Sequence, residues 1–471
     1  MLPQVAAVIA FVGIVALFRL DRDGARVSKA IWVPFVWLLI ASSRPISSWL
    51  ALSGPVNNGD AYVEGSPLDR NALTLILIVG LVVLLRRRRE AHKIVSVNGP
   101  VILFFAYCMI SVVWADYPVV LLKRWIRGVA DIVMVLVILT ETDWVGALRR
   151  VVTRLGFILI PLSILFIRFF PALGRAYSRG GSPMWTGVGT DKNALGMICM
   201  LFGTFLLWRG LSTFSDKATK QRTRQLVTIG ILFGMILYLL LVVNSQTALS
   251  CFAMAGTLIV FTAISPTFCK PLFVTSLVAA MLIASFSVLF LGVGGGALSS
   301  LGRDASLTGR TDVWRTVLPY AVNPLIGAGY ENFWVGERVR LFEHLLGGLN
   351  QAHNGYIELY LNIGWIGLML LGGIIVSGYR NIVRHLDSDR EITRLKLAFF
   401  LIALIYNFTE ASFKMQSPVW IMFLWAVMLT PVSSRVPQRA EMSSCTVKEL
   451  YFGESETHSG QVGAWNTIRQ T

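Results

Sequence analysis

Apolar runs of roughly 16 to 24 residues recur from one end of the chain to the other, each near the roughly 20 residues a helix needs to cross the hydrocarbon core of a bilayer. Polar stretches punctuate them, among them "RRRREAHK" at 86–93, "RGLSTFSDKATKQRTRQ" at 209–225 and "YRNIVRHLDSDREITRLK" at 379–396. The runs are near-continuous and lack the alternation of an outer-membrane barrel strand, and helices and closed barrels are the two ways to satisfy backbone groups in lipid. The pattern predicts an all-α fold, a polytopic membrane helical bundle of about 12–13 transmembrane helices. Residues 1–432 form that transmembrane domain, and the polar, aperiodic stretch 433–471 reads as a disordered cytoplasmic tail. No internal repeat is visible.

The three basic stretches are assigned to the cytoplasm, because Lys and Arg are retained on that side. Alternating the spans from them puts the N-terminus outside and the tail inside. Leu2 to Phe18 has no basic residue before it, and Arg19, Arg22 and Arg26 follow, so it reads as a retained helix and not a signal peptide. The same alternation sends residues 171–193, a long loop from about 294 to 353, and "EASFKMQS" at 410–417 to the outer face. The long loop exceeds what a connector needs, and short surface helices are expected in it. These outer segments hold Arg175, Arg179, Lys192, Arg303, Arg310, Arg315, Arg338 and Arg340. Basic residues kept against the positive-inside bias suggest an anionic ligand there, although long translocated loops also tolerate charge.

Composition narrows the class. Of 471 residues, 55% are hydrophobic and 14% charged, with mean hydropathy +0.65, which ordinary soluble domains do not match. The formal net charge of +16 lies largely in short loops between apolar runs, where it orients a membrane protein and does not bind nucleic acid. The five cysteines are scattered, no two at metal-ligand or redox spacing, and read as packing residues.

Four clusters on the outer face carry candidate chemistry. In "LKRWIRG", Lys123, Arg124 and Arg127 lie in the outer half of a helix, with Arg124 and Arg127 one turn apart; snorkelling to headgroups accounts for them as well as ligand binding does. In "GRAYSRGGSPMWTGVGTDKNALG", a glycine-rich loop runs through Asp191, a helix N-cap, into Lys192 and Asn193. Backbone donors with Arg175 and Arg179 suit a phosphate, but an ordinary turn and cap has the same look. In "SLTGRTDVW", Arg310 is followed at i+4 by Trp314, a pairing that clamps a pyrophosphate or stacks on a sugar, or is a solvated loop arginine. In "QAHNGYIELYLNIGWIGL", His353 and Asn354 stand where a polar loop becomes a membrane helix. An imidazole there can accept a proton from a sugar hydroxyl. Tyr356 and Ile357 are expected on its helical face, and Glu358 is the nearest carboxylate able to orient it. Trp185, Trp314 and Trp334 are candidate sugar platforms or interface anchors. No metal site and no cofactor is expected, since no second His or Cys stands at ligand spacing.

The succession "WTGVGTDKNALG", "LTGRTDVW", "NPLIGAGYENFW" and "HNGYIELYLNIGWIGL" resembles the O-antigen ligase and polymerase superfamily, particularly its exopolysaccharide-polymerising branch, over roughly residues 120 to 370. The resemblance implies transfer of a glycan from an undecaprenyl pyrophosphate carrier to an acceptor at the outer face of a bacterial inner membrane. It assigns pyrophosphate binding to Arg310 and to Arg175 or Arg179, and acceptor activation to His353. It implies, as partners, the lipid-linked oligosaccharide, the growing polysaccharide, the bilayer, a flippase and a chain-length regulator. Polymerisation of repeat units is the favoured reaction; transfer of a finished glycan to lipid A core would use the same motifs. A lipid-linked-sugar transporter is the rival from another class, and would put broken helices and polar groups near the midplane.

Overall fold

The computed structural model describes residues 2–21, 27–50, 66–177, 181–215, 219–264, 270–291, 310–346, 351–386 and 388–430. Arg22, Arg26, Arg179, Arg303 and the tail expected to be disordered lie outside the described residues.

Among the described residues the regular structure is helical apart from one hairpin of three paired positions. Its helices are α1 (Pro3–Leu20), α2 (Trp32–Ala41), α3 (Pro67–Arg86), α4 (Arg88–Val97), α5 (Gly99–Ile110), α6 (Pro118–Leu139), α7 (Trp144–Phe169), α8 (Lys192–Ser215), α9 (Lys220–Val243), α10 (Gln246–Ile264), α11 (Pro271–Phe290), α12 (Arg310–Val317), α13 (Glu337–Leu346), α14 (Gly355–Arg384), α15 (Arg390–Tyr406) and α16 (Pro418–Val427). The strands are β1 (Arg175–Tyr177) and β2 (Pro183–Trp185), antiparallel.

Among the described residues, eight helices are long and apolar enough to cross a membrane, nine if the bent pair α4 and α5 is taken as one span. This is fewer than the apolar runs suggest. The difference lies in α2 and α16, which are only 10 residues each, in the 17-residue α15, and in α6, whose middle carries Lys123, Arg124, Arg127 and Asp131.

Helix starts follow local chemistry. Pro stands in the first turn of α3, α5, α6, α11 and α16, where its missing N–H would have no partner anyway. Asp143 and Asp389 cap α7 and α15 through the Gly146 and Ile392 N–H groups. The basic stretches expected as loops are largely helical. α8 and α9 run into 209–225 from both sides, α14 and α15 into 379–396, and Arg88–Val97 forms the amphipathic α4, bent 88° from α5. Only Ile94 of α4 is buried.

Because the helices alternate in direction, the bundle has two ends. The lower end gathers the basic connections and two ion pairs, Arg87 with Glu141 at 2.6 Å and the fully buried Arg209 with Asp21 at 2.6 Å. The upper end gathers the hairpin, the 310–354 segment and the 407–417 loop. There α12 and α13 enclose a small core of their own, Val313, Val317, Phe333, Trp334, Val339 and Phe342. Large apolar side chains such as Phe11, Leu75, Leu272 and Ile283 are exposed on the flanks, as lipid-facing positions are.

One span is broken. Gly364 in α14 has φ 65° and ψ −166°, and the segment 323–328 fills the gap. The freed N–H groups of Trp365 and Ile366 donate to the Pro324 and Leu325 carbonyls, and Ala328 N–H donates to the Leu361 carbonyl. A Cβ on Gly364 would stand 2.2 Å from the Leu325 oxygen, so glycine is required by both torsion and space.

Candidate active site

The motif "HNGY" is built as a join between α14 and the 407–417 loop. Asn354 caps α14, accepting from Tyr356 and Ile357 N–H at 2.9 and 3.0 Å, while its amide donates to the Phe408 carbonyl at 3.0 Å. Gly355 N–H donates to the Asn407 carbonyl at 2.8 Å, and a Cβ at Gly355 would sit 2.0 Å from Asn407 Oδ1. Asn407 Oδ1 in turn accepts from Ser412 and Phe413 N–H. Further along, the fully buried Asp131 of α6 accepts from Gln416 N–H and the Trp37 indole, both at 2.8 Å. The loop is thus pinned at its start and its end.

That geometry aims Glu410 at His353. His353 lies two residues before the start of α14, in the left-handed region at φ 49°, a conformation an ordinary side chain holds only when its surroundings impose it. Here Ala352 is gripped from two sides: its N–H donates to Glu358 Oε2 at 2.8 Å, and its carbonyl accepts from the Trp314 indole at 2.8 Å. His353 Nδ1 faces Glu410 Oε2 at 3.4 Å, Arg310 Nη2 donates to Glu410 Oε1 at 2.7 Å, and Asn193 Nδ2 donates to the same oxygen at 3.0 Å. The Glu410 side chain is 9% exposed, those of His353 and Arg310 19% and 24%. A nearly buried carboxylate therefore ties together three residues from separate parts of the chain, each able to present its free face to a ligand.

Two expectations need correction. His353 does not share a helical face with Tyr356 and Ile357, since Asn354 takes the cap position and the helix begins at Gly355. The carboxylate oriented to the imidazole is Glu410 and not Glu358, which is turned to Ala352 N–H and the Asn362 amide. Glu410 escaped sequence reasoning because it is 57 positions from His353. Its one signal was to open a short polar segment between two apolar runs on the same side as the histidine.

The remaining candidates are distributed around this centre. Asp191 caps α8, accepting from Asn193 and Ala194 N–H, and Lys192 is exposed in its first turn. Arg175 pairs across the hairpin with Trp185, its guanidinium 4.7 Å from the ring centroid, and donates to the Ile167 carbonyl. Arg44, not singled out from the sequence, clasps the glycine-rich turn through the Gly187 and Gly189 carbonyls at 3.0 and 2.9 Å. Arg124 donates to the Glu331 carbonyl, and Arg127 is half-buried on the same face of α6. Trp314 is stacked on Phe290 with centroids 5.8 Å apart, and Tyr356 donates to the Leu404 carbonyl at 3.1 Å, so both are packed into the frame of the site. Trp334 is buried in the small core. Among the described residues, no three His, Cys, Asp or Glu stand together as metal ligands.

Comparison with known proteins agrees with this architecture. Residues 219–372, from the start of α9 into α14, match the O-antigen ligase family. The chain is also 27% identical over 301 residues to the exopolysaccharide production protein ExoQ of Rhizobium meliloti (strain 1021), a match covering 61% of this chain and 66% of that protein. The chain thus spans a little less than two thirds of the length of the curated relative it matches. The chain is thus an all-helical membrane bundle that is similar over residues 219–372 to the O-antigen ligase family and over 301 residues to an exopolysaccharide production protein.

Proposed function

We propose that this membrane protein polymerises polyprenyl-pyrophosphate-linked oligosaccharide repeat units into an exopolysaccharide at the outer face of a bacterial inner membrane. The observation that carries the reading is the Glu410 carboxylate shared by His353, Arg310 and Asn193. With Glu410 accepting from Nδ1–H, the imidazole Nε2 is left as a proton acceptor. It takes the proton of an acceptor hydroxyl as that oxygen attacks the anomeric carbon. The bond to the pyrophosphate oxygen breaks on the opposite side, inverting the centre and releasing the polyprenyl pyrophosphate. Departure of such a leaving group needs charge neutralisation more than protonation. Arg310 supplies it with donors beyond the one given to Glu410, joined by Arg175 or Arg179, so the chemistry asks for no metal. Asn193 and Lys192 at the start of α8 add donors from a helix N-terminus. A flippase delivering the repeat unit and a chain-length regulator are the expected companions.

Transfer of a finished glycan to lipid A core is the second reading, favoured by the ligase description of the matched family. Deleting the gene in its host and restoring wild type, His353→Ala or Arg310→Ala separates the two. Polymerisation predicts that single lipid-linked repeat units accumulate, and that wild type but neither stably expressed variant restores long polymer. Long polymer left on its carrier beside bare lipid A core would mean ligation. Normal glycans in both variants would remove these residues from the chemistry.

A further inference from the structure

One carboxylate at the upper end has no part in the centre described above. Glu331, in "GYENFW", stands in the left-handed backbone region at φ 52°, a strained conformation for a non-glycine residue that persists where the surroundings enforce it. They do so closely. Tyr330 N–H donates to Ser111 Oγ at 3.0 Å, Asn332 and Phe333 N–H donate to Asn362 Oδ1 at 2.8 and 3.0 Å, and Arg124 donates to the carbonyl of Glu331 itself. The side chain is different. It is partly buried, and among the described residues its carboxylate makes no hydrogen bond and no ion pair. Burial pushes its carboxyl above the ordinary glutamate range, against the opposing charges of Arg124 and Lys414. Lys414 donates to Gln351 Oε1 at 3.2 Å. Gln351 stands two positions before His353 and Lys414 four positions after Glu410.

A carboxylate left open at a braced and strained position is costly unless a ligand completes it. An anion would be repelled by it. Hydroxyl groups are the donors it lacks, and a pair of adjacent hydroxyls matches its two oxygens. We infer that Glu331, with Lys414 and Gln351 beside it, forms a saccharide subsite next to His353 and Glu410, accepting hydrogen bonds from hydroxyls of the incoming acceptor chain. The inference rests on the transfer reading above for the identity of its ligand as acceptor, since the donor pyrophosphate is assigned to Arg310.

The test uses the full chain in lipid nanodiscs and, as probe, the oligosaccharide released by mild acid from the host's lipid-linked repeat units. Probe binding is measured by calorimetry, and transfer from intact lipid-linked units in the same preparation. Glu331→Gly should lower probe affinity by about tenfold or more and raise the melting temperature, because glycine adopts this torsion without strain. Glu331→Gln should lose affinity in the same direction but less, since the amide keeps one acceptor oxygen, and it carries the test if the glycine variant fails to fold. Unchanged affinity in either folded variant overturns the subsite, as does a glycine variant that loses binding only together with thermal stability. Wild type that transfers sugar without binding the probe also overturns it. Wild type that binds the probe through Glu331 but transfers nothing sinks the transfer reading and leaves the saccharide site standing.

Discussion

Glu410 is the residue on which the proposed chemistry turns, because His353 and Arg310 both lean on it. Groups acting as one unit are not additive. His353→Ala is expected to slow transfer by about 10²–10⁴-fold, the range for loss of a positioned base. Glu410→Ala in the His353→Ala background should then cost little more than either change alone; independent, multiplying losses in single-turnover assays would show that the two do not work together. The histidine and Arg310 were legible in the sequence because each breaks a local rule, an ionisable group at a lipid boundary or a cation kept outside. Glu410 breaks none, and only folding brings it across 57 positions to the imidazole. Glu331 was hidden for a related reason, since a left-handed torsion at a non-glycine residue leaves no mark in composition or periodicity.

At the scale of the element, apolar periodicity made the spans readable, and proline and aspartate marked several of their starts. Ends in the basic stretches were less readable, because Arg and Lys are good helix formers and the helices simply continue through them. The segment "NPLIGAGYENFW", one of the motifs that carry the family resemblance, is a plug, lending its carbonyls to the N–H groups freed at Gly364. Gly364→Ala is expected to destabilise the protein by about 1–3 kcal/mol, through overpacking against the Leu325 carbonyl and a forbidden torsion. Thermal unfolding in detergent measures this, and an unchanged midpoint would mean that the plug yields easily.

On the scale of the whole molecule, charge is sorted between two ends, with the candidate chemistry at one and the anchoring ion pairs at the other. At the lower end, burial alone would raise the Glu141 carboxyl, but hydrogen bonds from Ser28 and Arg87 outweigh it and hold it below its ordinary value of 4.5. A carboxyl depressed in the folded state contributes stability that is fully present above the unfolded value near 4.5 and is lost as pH falls through the lower folded value. Glu141→Gln should therefore lower the melting temperature at neutral pH and flatten its fall below about pH 4.5. A parallel downward shift at every pH would assign the loss to packing instead.

The break in α14 has a mechanical consequence. The stub Gly355–Ile363 is fastened at its top to Asn407 and at its base, through Leu361 and Asn362, to the 328–333 segment, whereas the part below Gly364 exposes Trp365, Met369 and Val376 on one side and packs Gly367, Leu371, Ile374 and Gly378 into the bundle on the other. A span that must tilt to suit a thinner or thicker membrane can do so below the joint without dragging the histidine along. Transfer by the wild type should accordingly be indifferent to acyl-chain length, and Gly364→Ala should make it sensitive. The glycine thus works as a coupling that lets one helix meet the changing thickness of a bilayer at one end and hold a fixed geometry at the other.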